Sequence, residues 1–272
     1  MGARTEAKAL ESIKSIKERV PAADIHFLQL DLASFRSVKA AAHNFAARET
    51  VLHGLINNAG IMGVPFATTE DGFEVHIQTN YISHWLLTHL LLPVLVETAI
   101  NAKPGEVRIV NLTSGGHATF TVKEGIRFSD VNLRSERGMT RYGQSKLANI
   151  LHAKALHARY GSGENGKGRI VVSAVHPGNI DTDLTRQATD FASTGTLTVM
   201  SRVMKCVGIL DKREKGAYSS LYAVASPDFT ESGAYVVPYA KIGTPSSKAM
   251  DPELAEELWE WTEKELKTRG VL

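Results

Sequence analysis

The sequence Leu-Ile-Asn-Asn-Ala-Gly, residues 55–60, closes a short apolar strand that we predict over Val51–Ile56. A long helix is predicted to follow it, from about Asp71 to Ile100. The apolar runs Arg108–Leu112 and Ile170–Val175 are predicted as further strands, again separated by a helix. Because apolar strands that alternate with helices form parallel sheets covered on both faces, we predict an α/β fold with a doubly wound, Rossmann-like parallel sheet.

The rest of the chain continues this alternation without an internal repeat or a linker, so residues 1–272 are predicted to form a single domain. Ligands of such sheets bind outside the carboxyl ends of the strands. Asp31, Asn58, Ser114 and residues 177–182 all follow predicted strands and are therefore candidates for the site. The remaining predicted elements are helices at Thr5–Arg19, Ser34 to about Arg48, Thr140–Tyr160, Lys212–Ala225 and Pro252–Lys267, and strands at Ile25–Leu30 and Ala234–Val237.

The composition excludes several classes of protein. With 43% hydrophobic and 22% charged residues, the chain is neither collagen-like nor disordered. A net charge of +2 gives no electrostatic case for binding nucleic acid. The one cysteine, Cys206, cannot form an internal disulfide, and the most apolar stretch, Trp85–Val96, is too short to span a membrane. We therefore expect a cytoplasmic protein without an integral membrane segment.

Tyr142 and Lys146 are four residues apart in a predicted helix and therefore lie on one face of it. A nearby ammonium group stabilises a phenolate and lowers the pKa of the tyrosine, which suits acid–base chemistry. Taken alone, this spacing is common by chance. Likewise, Ser114 could be an ordinary turn or N-cap residue, and Asn80 could lie on a solvated helix face.

Taken together, these residues occur in an order that resembles one family. The motifs are Asn57-Asn58-Ala59-Gly60, Asn80, Ser114, Tyr142-x-x-x-Lys146 and Pro177-Gly178. This order resembles the short-chain dehydrogenase/reductase family, and in particular its retinol-dehydrogenase-like branch and the related reductases of fungal metabolism. The resemblance continues through Leu55–Gly60, Arg108–Ser114, Val175–Leu184, Ser232–Tyr235 and the segment around Leu258-Trp259.

The resemblance implies a role for each of these side chains. Tyr142 exchanges a proton with the substrate oxygen, which Ser114 also contacts by a hydrogen bond. Lys146 lowers the pKa of Tyr142 and binds the nicotinamide ribose, and Asn80 holds a water molecule in a proton relay to Lys146. A hydride passes between the nicotinamide and the carbonyl or carbinol carbon, so the cofactor supplies the redox chemistry.

The resemblance also implies a set of cofactor-binding residues. Asp31 would contact the adenine, Asn58 the adenosine ribose, and Ile180 and Thr182 the nicotinamide carboxamide and a phosphate. Asp31 could equally be a turn residue and Thr182 a helix cap. A basic residue at Arg4 can pair with the 2′-phosphate of NADP, which favours NADP over NAD, although Arg4 could also be an ordinary surface residue.

One element of the family pattern, the Gly-rich turn between the first strand and first helix, is not found near the N-terminus. Gly161–Gly166 matches Gly-x-Gly-x-x-Gly, but it follows a helix and precedes a strand, which is the reverse of the required order. The chain is therefore expected to be N-terminally truncated relative to the family. A start assigned too late, a rearranged sheet edge, or a member that no longer binds dinucleotide would each explain this.

Three functions remain open at this point. The first is an NADP-dependent oxidoreductase that acts on a carbonyl or alcohol of a lipophilic small molecule. In this case the segment at about 185–212 forms a lid over the substrate. The second is a catalytically impaired relative that acts as a binding protein, and the third is an isomerase or dehydratase that uses Tyr142 without hydride transfer. No metal site is predicted. A homodimer could form if the helices that hold Asn80 and Tyr142 packed across a two-fold axis.

Overall fold

The computed structural model describes residues 1–161, 169–180 and 213–272, and it contains a mainly parallel sheet with helices packed against it. The predicted strand–helix alternation is confirmed. The strands are β1 (Gly2–Ala3), β2 (Leu28–Gln29), β3 (Gly54–Asn57), β4 (Val107–Leu112), β5 (Ile170–Val175), β6 (Ala234–Val237) and β7 (Lys241–Gly243). The main helices are α1 (Glu6–Arg19), α2 (Phe35–Ala46), α3 (Val75–Asn101), α4 (Gly116–Thr119), α5 (Gly138–Tyr160), α6 (Arg213–Ala225) and α7 (Pro252–Thr268).

The principal sheet has five strands in the order β3-β4-β5-β6-β7. The first four run parallel, and β7 pairs with β6 in the antiparallel direction. Strands β4 and β5 are buried along their whole lengths, with Ile109 opposite Val172. This burial on both faces explains why their sequences read as continuous apolar runs. The antiparallel strand β7 was not predicted, because Lys241-Ile242-Gly243 is short and half polar.

Strands β1 and β2 form a separate parallel pair, in which Gly2 lies opposite Leu28. Among the described residues, no backbone pairing joins this pair to β3, whose Ile56 is 40% exposed. One edge of β3 therefore has no strand partner among the described residues. The strand predicted at Ile25–Leu30 is shorter in the structure, where only the two residues of β2 form a strand.

Most predicted helices begin and end within a few residues of their predicted bounds. Helix α2 starts after Ser34, whose hydroxyl accepts a bond from the Ser37 amide, as the capping pattern predicted. Helix α7 has Pro252 in its first turn and Asp251 as its N-cap, which accepts bonds from two backbone amides. The long predicted helix begins four residues later than expected, at Val75, because Glu74 is its N-cap and accepts bonds from the His76 and Ile77 amides.

Helix α3 consists of an α-helical start, a π-helical stretch at Gln78–Ile82 and a second α-helical part at Ser83–Asn101. By length and composition alone, α3 could cross a membrane, but 67% of its apolar window is buried inside the protein. A buried core helix meets the same criterion, so α3 is only weak evidence for a membrane span. Trp85, Leu86 and Leu95 of this helix lie in the core.

The C-terminal helix α7 packs against both long helices. The Trp259 ring lies 5.0 Å from that of Trp85, measured between centroids, and 4.3 Å from the guanidinium carbon of Arg159. Tyr81 and Thr262 share a buried hydrogen bond of 2.6 Å between their hydroxyl oxygens. Pairing of two copies through α3 and α5 would therefore have to use the parts of those helices that α7 leaves uncovered, and the homodimer stays a prediction.

Candidate active site

The candidate residues gather at the carboxyl ends of three neighbouring strands. Asn58 follows β3, Ser114 follows β4 and His176 follows β5. The register places Asn57 opposite Asn111, so β3 and β4 end almost level with each other. The side chains that follow them can therefore contact one ligand, as the rule for open parallel sheets predicts.

Asn80 lies in the π-helical stretch of α3 and is completely buried. Its Oδ1 accepts a 2.8 Å bond from the Ile61 amide, and its Nδ2 donates to the Ile61 carbonyl and to Ser145 Oγ. Gly60 is required beside it, because an added Cβ would come within 2.9 Å of Asn80 Oδ1. The polar residue in mid-helix is therefore a buried hydrogen-bonding group and not part of a solvated face.

Tyr142 and Ser114 are brought together by the short helix α4. Tyr142 is buried, and the neighbouring Ser114 side chain lowers the pKa of its phenol. Ser114 Oγ also accepts a 3.1 Å bond from the Gly116 amide. An added Cβ at Gly116 would lie 3.1 Å from the Tyr142 ring, so the glycine allows the ring to approach this turn closely. The two predicted catalytic side chains are thus neighbours at this turn.

Lys146 lies one turn further along α5 than Tyr142, as the spacing predicted. Its Nζ donates a 3.0 Å bond to the Leu112 carbonyl at the end of β4 and is 5.8 Å from the centre of the Tyr142 ring. The Thr113 hydroxyl donates to the Lys146 carbonyl at 2.7 Å, which fixes this turn of α5 against the strand end. An ammonium group has three protons, so two remain to bind a ligand.

Burial shifts the pKa of both side chains of this pair. Burial raises the pKa of Tyr142, and the Ser114 side chain offsets this only in part. Burial also lowers the pKa of Lys146 to about 8. The lowering of the Tyr142 pKa by Lys146 stays a prediction, and the ammonium is bonded to the Leu112 carbonyl, with its Nζ 5.8 Å from the centre of the Tyr142 ring.

A buried amide network that the sequence reading missed supports the strand ends. Asn57, and not the exposed Asn58, is buried, and its Nδ2 donates to Thr88 Oγ1 and to Asn111 Oδ1. Asn111 lies within 3.2 Å of His152 Nδ1 in turn. The alternation of side chains along β3 would have identified Asn57 as the inward residue, because Asn58 is already past the strand end.

The outer candidates occupy exposed or half-buried places. Asp31 Oδ1 accepts a 2.9 Å bond from the Ala33 amide, which makes Asp31 a turn residue in addition to any contact with a ligand. Arg4 follows β1 and is exposed. Asn58 is also exposed. These three residues leave polar groups accessible on the β1–β3 side of the site.

Ile180 lies beyond β5 and close to helix α6. A Cβ added at Gly216 would come within 2.8 Å of Ile180, so Gly216 lets the helix approach that side chain. Gly178 has a φ of +102°, a conformation that favours glycine and turns the chain after Pro177. Thr182 and the predicted lid at about 185–212 lie outside the described residues.

Two histidines near Ser114 were not predicted as site residues. His117 is buried, and its Nδ1 lies 2.7 Å from the Ser114 carbonyl oxygen. His176 accepts a 3.3 Å bond from the Gly178 amide at Nδ1, and burial lowers its pKa to about 4. His176 Nε2 would lie 3.4 Å from a Cβ at Gly115. No spacing rule connects either residue to Ser114, because both contacts depend on how the turn folds.

The described residues fit one half of a nicotinamide dinucleotide. The two protons of Lys146 that remain and the Tyr142 hydroxyl offer polar groups for a ribose, and Gly60 keeps the space beside them narrow but free of a side chain. Among the described residues from β1 to β3 of the chain, no Gly-rich turn connects a strand to a helix. This part of the chain therefore lacks the turn that would bind the pyrophosphate. Among all the described residues, no cluster of histidine, cysteine and carboxylate side chains could hold a metal ion either.

Comparisons with known proteins identify the family of this chain. A family model described as short chain dehydrogenase matches residues 1–123. A short-chain dehydrogenase/reductase of Aspergillus calidoustus, drtF, is 49% identical over 278 residues, which cover 100% of this chain and 86% of that protein.

Solved structures give the same picture of the fold. An uncharacterized protein from Mycobacterium paratuberculosis superposes with a TM-score of 0.66 at 30% identity, covering 98% of this chain and 83% of the other. An NADPH-bound carbonyl reductase from chicken fatty liver superposes with a TM-score of 0.60 at 20% identity, covering 89% and 86%. Because the carbonyl reductase is only 20% identical, its similarity to this chain concerns the fold alone.

Proposed function

Because the chain belongs to the short-chain dehydrogenase/reductase family and is an NAD(P)-dependent enzyme of that family, we propose that it interconverts a carbonyl and a primary or secondary alcohol on a lipophilic small molecule, with NADP as its cofactor. The observation that carries this proposal is that Ser114 and Tyr142 both lie against the turn at Gly116, one helical turn from Lys146, at the carboxyl end of β4. This arrangement places two hydroxyl groups where one substrate oxygen can bind both.

Tyr142 exchanges the proton. Because burial raises its pKa, the phenol is neutral near pH 7 and is ready to donate a proton to the oxygen of a carbonyl substrate. Ser114 hydrogen-bonds to the same substrate oxygen and orients it toward the phenol. When bound, the nicotinamide supplies the two-electron redox chemistry.

Lys146 stabilises the phenolate that remains after the proton has moved. With a pKa of about 8, it is largely protonated near pH 7, and its positive charge lies on the same helix face as Tyr142. Asn80 holds the backbone of Ile61 beside this ammonium and orients Ser145, the neighbour of Lys146. A water molecule held near Asn80 would complete the path by which the proton is replaced.

The preference for NADP is supported by the exposed guanidinium of Arg4 at the end of β1. A guanidinium binds the 2′-phosphate that NAD lacks. Asp31, Asn58, Ile180 and Thr182 are proposed to contact the remaining parts of the cofactor. The lone cysteine, Cys206, supports a cytoplasmic location, which we also propose.

The test uses the whole chain. We expect NADPH to bind more tightly than NADH in titration calorimetry, and Arg4→Ala to reduce that preference. With NADPH and a panel of lipophilic ketones and aldehydes, we expect the nicotinamide absorbance to fall. Tyr142→Phe should lower kcat by roughly 10²- to 10⁴-fold, whereas Tyr218→Phe, an exposed tyrosine, should not change it.

Two results would refute the proposal. If neither NADPH nor NADH binds, the chain acts as a binding protein and not as an oxidoreductase. If a substrate is converted while the nicotinamide absorbance stays constant, the chemistry is that of an isomerase or dehydratase.

A further inference from the structure

The imidazole ring of His117 joins two segments that are 129 residues apart. Its Nε2 accepts a 3.1 Å bond from the Ser246 backbone amide. Its Nδ1 lies 2.7 Å from the Ser114 carbonyl oxygen. Because an amide only donates and a carbonyl only accepts, the ring must be neutral with its proton on Nδ1.

The Ser114 carbonyl is held twice by the same residue. Besides the bond from the ring, it accepts a 3.1 Å bond from the His117 backbone amide. The Ser114 side chain belongs to the same turn, since its Oγ accepts a bond from the Gly116 amide and meets Tyr142. A displacement of the carbonyl would therefore move the hydroxyl relative to the phenol.

The other end of the bridge is firmly anchored. The Ser246 carbonyl accepts bonds from the amides of Ala249 and Met250 and so begins a short 3₁₀ helix. Ala249 is completely buried. His117 therefore connects the Ser114 turn to a fixed point after β7 and not to a second movable loop.

The surroundings keep the ring neutral. His117 is 3% exposed, its ring makes an edge contact with Tyr235 at 5.5 Å, and burial lowers its pKa. The nearby His176 is neutral near pH 7 for the same reason. A protonated ring would point an N–H at the Ser246 amide and break the bridge.

We propose that His117 is a positioning residue for Ser114. Its Nδ1–H tautomer ties the Ser114 turn to Ser246 and thereby holds Ser114 Oγ against the hydroxyl of Tyr142. The consequence for turnover rests on the proposed function, whereas the positioning itself does not.

Two substitutions each retain one half of the bridge. In His117→Asn the amide nitrogen replaces Nδ1–H and can still donate to the Ser114 carbonyl. In His117→Gln the amide oxygen replaces Nε2 and can still accept from Ser246, but the bond to Ser114 is lost. His157→Asn and His157→Gln are the matched controls, because His157 lies 2.9 Å from Ser232 Oγ and touches none of the catalytic residues.

The first readout needs neither cofactor nor substrate. The ring-13Cζ resonance of Tyr142, assigned with Tyr142→Phe, reports hydrogen bonding at the phenol oxygen. We expect His117→Gln and His117→Asn each to move this resonance toward its position in Ser114→Ala, because each variant breaks one half of the bridge. The 15N shifts of His117 in the wild-type chain should show the Nδ1–H tautomer.

The second readout is kinetic. We expect His117→Gln to lower kcat by roughly ten-fold, which is the effect of weakening about one hydrogen bond in the transition state. The Kd of NADPH should be unchanged, and His117→Asn should lower kcat as well, because it loses the bond to Ser246. If the wild-type chain turns over no substrate, the proposed function fails, and the Tyr142 resonance still decides the positioning.

A third variant covers the case in which neither His117 variant folds. Ser246→Pro removes the amide that anchors the ring, at a residue whose φ of −60° suits proline. Ser246 Oγ is buried and has no hydrogen-bond partner in the described structure, so its loss breaks no bond. We expect this variant to move the Tyr142 resonance as Ser114→Ala does. A wild-type resonance in this variant or in His117→Gln would overturn the proposal.

Discussion

The side-chain amide of Asn80 donates a 2.8 Å hydrogen bond to Ser145 Oγ, across 65 positions of sequence. Ser145 in turn donates to the Tyr142 carbonyl at 2.7 Å. The π-helical stretch of α3 is thereby joined to the turn of α5 that contains Tyr142 and Lys146. This contact makes the geometry of the catalytic helix dependent on α3, and π-helical turns are often found at such functional places.

The first prediction concerns this contact. Asn80→Ala removes three hydrogen bonds and leaves the amide and carbonyl of Ile61 without their partner, so we expect the free energy of unfolding to fall by about 2–4 kcal/mol. Ser145→Ala should cost about 1 kcal/mol. Urea unfolding measures both. Asn101→Ala, which loses exposed contacts with Glu97, is the control, and equal losses for Asn80→Ala and Asn101→Ala would contradict the prediction.

The second prediction concerns acid stability. Burial lowers the pKa of His84 to about 4, whereas an unfolded histidine titrates near pH 6.5. As the pH falls, the unfolded chain therefore takes up a proton at His84 before the folded chain does. His84 has no effect on the free energy of unfolding above pH 6.5, and it lowers that free energy between pH 6.5 and 4. The loss amounts to about 1.4 kcal/mol per pH unit, or about 3 kcal/mol over the whole range.

Urea unfolding at several pH values tests this directly. His84→Asn should lose stability less steeply than the wild type between pH 6.5 and 4, because it cannot take up this proton. His26→Asn is the control, since its side chain is 79% exposed. Parallel slopes for the wild type and His84→Asn would show that His84 is not the group that titrates.

The third prediction concerns Gly143, the neighbour of Tyr142. A Cβ at this position would lie 2.7 Å from the Phe120 carbonyl carbon and 2.8 Å from the Thr121 amide nitrogen, both of which are backbone atoms. Because neither can move cheaply, Gly143→Ala should lower the free energy of unfolding by about 1–3 kcal/mol or more.

Gly115→Ala provides the comparison for Gly143→Ala. Gly115 has a φ of −54°, and its nearest neighbour to an added Cβ is His176 Nε2 at 3.4 Å. Thermal unfolding should show a clear drop in Tm for Gly143→Ala and little change for Gly115→Ala. A similar Tm for both variants would mean that helix α5 adjusts more easily than its packing indicates.

The fourth prediction concerns the C-terminal helix. Trp259 is 7% exposed and packs on Trp85, so Trp259→Ala should cost about 3–5 kcal/mol of unfolding free energy. Glu256→Gln, which breaks a surface ion pair with Arg159, should cost at most about 1 kcal/mol. Urea unfolding followed by circular dichroism distinguishes the two, and comparable losses would contradict the view that α7 is held by its apolar face.

Local patterns predicted much of the fold. The bounds of β5 and β6 were correct to the residue, and those of β4 differed by one, because buried apolar runs of this length have few alternative readings. The short strand β7 and the lack of pairing between β2 and β3 were harder to predict from the sequence. A strand of two or three residues is defined by its partner and not by its own composition.

The candidate site divides in the same way. The shared helix face of Tyr142 and Lys146 follows from helical geometry, so the sequence by itself determined that pair. Only the tertiary structure decided that Lys146 bonds to Leu112 and that His117 reaches Ser246. The physical reason is that spacing along a helix or strand is set by the backbone, whereas contacts between distant segments depend on how the sheet and its helices pack.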